Sequence, residues 1–263
     1  MNHLTPLKQP AIFIGHGNPM NAITPNPYKD AWVALGLQLK NNAILPRAIL
    51  CISAHWQTQG TWVCAANQPK TIHDFGGFPK TLFEQQYPAP GAPDIAQLIC
   101  DFIPDHRIKS TLDWGLDHGA WTVLQSIFPA ANIPVLQLSL DRQLDFKGHF
   151  ALAQQLSALR EQGILVMGSG NIVHNLGMLA QGHTYDWAIS FDEYIKNALL
   201  ANDNGALINI AQAGAAAQLS VPSDEHYLPL LYIAAMRYAD DRMQFFTESF
   251  DLASLSMRSF IYQ

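Results

Sequence analysis

Two uninterrupted apolar runs, residues 48–53 (AILCIS) and 164–167 (ILVM), limit the folds open to this chain. A strand with one wet face alternates apolar and polar residues, so a run without alternation must be covered on both faces. Such strands belong at the centre of a sheet sandwiched between helices. The flanking pattern agrees. Further β-rich runs at 11–14, 62–65, 134–139 and 255–262 alternate with helical periodicity over 28–39, 94–102, 119–127, 150–162, 187–200 and 226–238. The alternation predicts an α/β fold with a central mixed sheet and helices on its flanks.

Neither a linker nor an internal repeat divides the 263 residues, and one domain over 1–263 is expected. Residues 67–93 differ in texture, being dense in Gly, Pro and aromatics. They predict a long ordered loop of the kind that carries function, and its His73, Asp74 and Phe75 form a candidate lid. Hydrophobic residues make up 49% and charged residues only 14%, with a net charge of −6. The balance is that of a globular chain and gives no basic stripe for nucleic acid. Three cysteines without a CxxC pair make no disulfide framework, and Cys51 reads as a buried thiol. No signal pattern and no membrane-length apolar stretch appear, so a cytoplasmic protein is expected.

Histidine placement is the chemical signal. Four of the ten histidines sit where an apolar run gives way to a turn: His16 (IFIGHGNPM), His55 (ILCISAHW), His174 (ILVMGSGNIVHN) and His226 (PSDEHYLPLL). Ligands in open α/β sheets gather where strands end, and imidazole is the commonest metal-binding side chain. Each residue alone also reads as a satisfied strand-end or loop histidine. Ser223 or Asp224 reads as a helix cap, with Glu225 a first-turn carboxylate or a site residue. His118 follows Asp117 and reads as a turn residue or as a proton carrier with a carboxylate neighbour. His3, His106, His149 and His183 are expected in solvent. HExxH, HxH, CxxC, GxSxG and GxGxxG are all missing, so zinc-protease, hydrolase and nucleotide readings lack support.

Read in order, GHGNPM, SAHW, TIHDFGGFP, YPAPG, DHGAW, GSGNIVHNL and EHYLPLLY resemble the 4,5-DOPA extradiol dioxygenase family. That family lies within the class III extradiol ring-cleaving superfamily, and the matching segments span most of the chain. The resemblance implies an oxidoreductase with one mononuclear non-haem divalent metal, and a small catechol plus O2 as substrates. By the same resemblance His16 and His55 are ligands, and the third comes from Glu225 or His226, with His226 favoured. His174 matches a residue that serves as fourth ligand or catalytic base, and His118 one that contacts substrate or shuttles protons. An all-histidine set suits Zn2+ in an isolated protein, whereas dioxygenase chemistry calls for redox-active Fe2+. A metal-binding interaction module of the same fold and a zinc-dependent hydrolase are the rival expectations. Arg47, Arg142 and Arg237 stay unranked as partners for a substrate's charged tail.

Overall fold

The computed structural model describes residues 8–41, 45–103 and 108–263, so the expectations for His3 and His106 lie outside the described residues. In chain order the elements begin with β1 (Ala11–Gly15), α1 (Pro27–Asn41), β2 (Ala48–Thr58) and β3 (Trp62–Cys64). Then come α2 (Lys80–Phe83), α3 (Pro93–Phe102), β4 (Lys109–Thr111), α4 (His118–Ile127), β5 (Val135–Asp141), α5 (Phe146–Leu156) and β6 (Ile164–Gly170). The C-terminal part holds α6 (Asp186–Ala201), α7 (Asn204–Ile208), α8 (Ala215–Ser220) and α9 (Leu228–Ala235). It closes with β7 (Met243–Thr247), β8 (Phe250–Asp251), β9 (Leu255–Ser256) and β10 (Ser259–Tyr262).

Eight strands form one sheet in the order β4-β3-β5-β2-β6-β1-β10-β7. The inner strands β5, β2, β6 and β1 run parallel, while β10 and β7 add an antiparallel margin and β3 meets β5 antiparallel. The mixed α/β sheet expected from the sequence is therefore present. Alternate residues of the two apolar runs enter opposite cores. Ala48, Leu50, Ile52, Ile164 and Val166 join the side covered by α3, α5, α6 and α9, and Ile49, Cys51, Leu165 and Met167 the side covered by α1 and α4. Trp32 of α1 and Trp121 of α4 are fully buried in the second core.

Several boundaries move, each for a local reason. β2 runs on to Thr58 across a register shift between Ile52 and Gln57, so His55 sits in an irregular stretch inside a strand. The run 255–262 is split. β9 pairs with β8 in a separate ribbon, and only β10 joins the main sheet. The helix expected over 226–238 is confined to α9, because Pro229 sits in its first turn and leaves His226 in the preceding turn. Its N-cap is Tyr227 without a side-chain bond; Ser223 instead donates to Glu225, so the expected Ser223 or Asp224 cap does not form. His149 was expected in solvent but is buried, with Nδ1 facing the Tyr232 hydroxyl at 3.0 Å. The α5 periodicity that surrounds it points inward at that position. His183 is exposed as expected.

The periodic stretch 150–162 ends in a 3-10 turn, Ser157–Gln162, whose Arg160 is wholly buried. Its guanidinium donates to Asp241 at 2.5 and 2.9 Å and to the Gln9 and Met236 carbonyls, tying β1's entry to the segment before β7. Burial opposes ionisation of Asp241, but Arg160 overrides it and holds the carboxyl below its ordinary value. A depressed carboxyl contributes stability above the unfolded pKa of about 3.9, and that contribution is lost as pH falls through the folded value. Arg160→Met strips this charge of its main partner and is expected to cost about 3–5 kcal/mol. Urea denaturation at neutral pH checks it, and a loss below 1 kcal/mol (roughly the worth of a surface pair) would contradict the buried-pair assignment.

Candidate metal centre

The histidines of the candidate centre come from the residue after β1, from the irregular stretch inside β2 and from the turn before α9. His16 directly follows β1 and is 2% exposed. A Cβ on Gly15 would stand 2.8 Å from the Met257 backbone, and Gly17 adopts φ +59°, so both flanking glycines are required. At β6 the glycines of GSG serve another contact. A Cβ on Gly168 would come within 2.5 Å of the Pro229 carbonyl, and one on Gly170 within 2.1 Å of the His226 carbonyl. The turn carrying His226 thus lies directly on the end of β6, clamped by Asn171 N–H donating to the His226 carbonyl at 2.9 Å. Gly170→Ala is expected to push that turn away and to weaken metal binding at least about tenfold, as measured by competition with a chelator. Unchanged affinity would show that the close approach is irrelevant.

His16, His55 and His226 place one nitrogen each within 4.8 Å of one another. The Nε2 atoms of His16 and His55 are 3.1 Å apart. Two nitrogens bound at about 2.1 Å to one ion stand about 3 Å from each other, so the pair has the right spacing. The outer nitrogens explain why these faces are free. His16 Nδ1 lies 3.0 Å from the Ser169 hydroxyl, which spends its own hydrogen on the Gly119 carbonyl at 2.6 Å and must therefore accept from the ring. His226 Nδ1 lies 3.0 Å from Glu225, and His55 Nδ1 lies 3.6 Å from Asp74. For His16 and His226 the Nδ1 is thereby held as the N–H side, leaving the Nε2 lone pair turned inward, while Asp74 faces His55 Nδ1 beyond hydrogen-bond distance. With its Nε2 lone pair also turned inward, His55 would face that of His16 at 3.1 Å in repulsion, and a cation between the two removes it.

Burial, reinforced by the surrounding imidazoles, pushes the His16 and His226 pKa values far down. His55 falls to about 3, through burial first and His118 next. His174 falls to about 4, mainly through burial, with Glu225 opposing. All four rings are neutral at pH 7, the state a metal ligand or a base needs.

His174 stacks flat on His226, with centroids 3.4 Å apart and planes within 6°. A ligating lone pair lies in its ring plane, so two parallel stacked rings would not aim lone pairs at the same point. Consistently, His174 groups with Glu225 and His226 and not with His16 and His55. His118, expected at a surface turn or in a proton-carrying role, is buried at the start of α4, with its ring centroid 3.9 Å from that of His55. Its carboxylate neighbour is not Asp117. That side chain is fully buried, caps α4 at Ala120 N–H, and accepts from Ser53 and Gln137 at 2.7 and 2.8 Å. Burial, then the charge of Asp74, raises Asp117 to about 6. The partner of His118 is Asp74, whose Oδ1 accepts the His118 backbone N–H at 2.9 Å and whose Oδ2 lies 3.0 Å from its Nδ1. Burial opposes ionisation of Asp74, yet its contacts with His118 and His55 bring it down to about 2.

Asp74 and Ser169 are the residues whose part in the centre the sequence did not disclose. Asp74 lay in the candidate lid, and its position beside His73 was the available signal. Phe75 from the same loop packs edge-on against His118, while His73 turns to the Gln85 carbonyl and is structural.

Fold and centre together define an α/β enzyme type with a buried polyhistidine site suited to one divalent metal. Comparison supplies the family. Residues 10–256 match the family described as the catalytic LigB subunit of aromatic ring-opening dioxygenase, and the chain belongs to that family of oxidoreductases. It is 42% identical to the 4,5-DOPA dioxygenase extradiol of Escherichia coli (strain K12), covering 96% of this chain and 94% of the relative. The protein of the same name from Beta vulgaris is 34% identical, covering 95% and 94% respectively. A crystal structure of an uncharacterized Escherichia coli K12 protein superposes with a TM-score of 0.83 at 37% identity, over 96% of this chain and 99% of that one.

Proposed function

We propose that the chain, with residues 1–263 acting as one catalytic domain, is an extradiol dioxygenase that opens a catechol ring beside its diol. DOPA is the model substrate, as the names of the two relatives suggest. The observation that carries this reading is the convergence of His16, His55 and His226, with the outer nitrogens of His16 and His226 held by Ser169 and Glu225 and that of His55 facing Asp74. These three hold the metal, with Glu225 orienting His226 rather than replacing it. Fe2+ is the working ion, since it supplies both Lewis acidity toward the diol and electrons toward O2; Zn2+ fits the nitrogen set but has no redox chemistry.

The remaining residues handle protons. His174 is neutral and stands against His226, so it accepts a proton from the diol as general base. His118 is placed by its backbone N–H donating to Asp74 and has its Nδ1 3.0 Å from that carboxylate, so its ring is the one to hold and hand on a proton during ring opening. Phe75 offers an aromatic face beside that path. Among the described residues no helix is long and apolar enough to cross a membrane.

Oxygen uptake with a catechol panel, after anaerobic loading with Fe2+, tests the reading. Uptake with a yellow ring-opened semialdehyde is expected. Full iron occupancy without uptake on any catechol would overturn it.

A further inference from the structure

A polar cavity of about 190 Å³ opens beside the centre, lined among others by Gln57, Asp141, Arg142, His149, Asp224 and Glu225. Pockets for whole ligands run to about 300–1,000 Å³, so this one has the size of a subsite. Glu225 joins it to the histidines, because its Oε1 also meets His226 Nδ1 at 3.0 Å. Gln57 lies two residues beyond His55 on the same strand.

The cavity's charges are divided between committed and free groups. Asp141 is spent on the backbone N–H groups of Gly60 and Gln143, and Glu225 on Ser223 and His226. Arg142 and Asp224 differ: among the described residues neither side chain enters an ion pair or hydrogen bond. Two opposite charges thus line one cavity without pairing with each other. The other arginines considered for a substrate tail are engaged elsewhere. Arg47 pairs with Asp94 at 3.0 Å on the surface, and Arg237 donates to the Leu199 carbonyl and lies over Tyr262. His149, whose Nδ1 faces Tyr232, adds a buried Nε2 without a hydrogen-bond partner.

We propose that this cavity takes the zwitterionic tail of an amino-acid catechol, with Arg142 on the carboxylate and Asp224 on the ammonium. The inference rests on the ring-cleavage reading and names the substrate feature that the same site selects. A zwitterion satisfies both free charges at once, whereas a tail with one charge leaves the other facing solvent inside the cavity. Both residues act by positioning the ring. Neither touches the histidine nitrogens.

Anaerobic calorimetry on the Fe2+-loaded protein tests this with four catechols. DOPA carries both charges, 3-(3,4-dihydroxyphenyl)propionate only the carboxylate, dopamine only the ammonium, and 4-methylcatechol neither. Arg142→Gln is expected to raise Kd roughly 10- to 100-fold for DOPA and the propionate and to leave the other two within about twofold. Asp224→Asn is expected to do the same for DOPA and dopamine only. Oxygen uptake should show these losses in KM with kcat preserved. Equal loss on all four catechols, or no loss in either variant, overturns the proposal while binding of 4-methylcatechol keeps the ring-cleavage reading intact. Failure of wild-type protein to bind any of the four overturns both. Each side chain is exposed, so neither substitution threatens the fold.

Discussion

Alanine at His16 or at His55 is expected to empty the centre, lowering metal affinity by more than about 100-fold and turnover below detection. Loss of a residue that merely orients a metal-bound histidine costs about 10- to 100-fold, and loss of the ligand itself must exceed that. The two variants should behave alike, because their Nε2 atoms face each other at 3.1 Å and form one edge of the site. Metal per chain after dialysis, with circular dichroism as the control for folding, provides the measurement. Stoichiometric iron in both folded variants would remove the three-histidine assignment.

His174→Gln is expected to separate chemistry from binding. The variant should keep one metal per chain and lose about 10²- to 10⁴-fold in kcat, the usual worth of a positioned general base. The reason is geometric. His174 lies 3.4 Å above the parallel ring of His226, so the two rings would not aim their lone pairs at one point. Its place is set from outside the centre, by its N–H donating to the Ser220 carbonyl and by a bridge to Leu255. Glutamine keeps polarity but cannot take up a proton near pH 7. If iron occupancy falls along with turnover, as for His16, then His174 is a ligand and the base must be sought elsewhere.

The legible part of the centre was its list of histidines, since an imidazole placed where an apolar run gives way to a turn is visible in one dimension. Their outer partners were not. Ser169 is separated from His16 by 153 positions, and it reaches the ring only because β1 and β6 lie side by side in parallel register. Asp117 stands next to His118 in the chain, yet as an N-cap it turns back into its own helix and toward Gln137, and the more distant Asp74 takes the contact. His149 misled because a lone polar residue in an amphipathic segment reads as solvent-facing until the tyrosine opposite is known.

By itself the chain's order of residues determined the layer architecture and the rim at which imidazoles collect. Uninterrupted apolar runs have no stable place except between two helical layers, and that constraint is local. Which imidazoles converge, which one stacks, and which carboxylate holds which nitrogen were decided by tertiary structure alone. Those outcomes depend on ring orientation at the scale of an ångström, set by strand register, by Pro229 delaying α9, and by glycines that let the His226 turn settle onto β6.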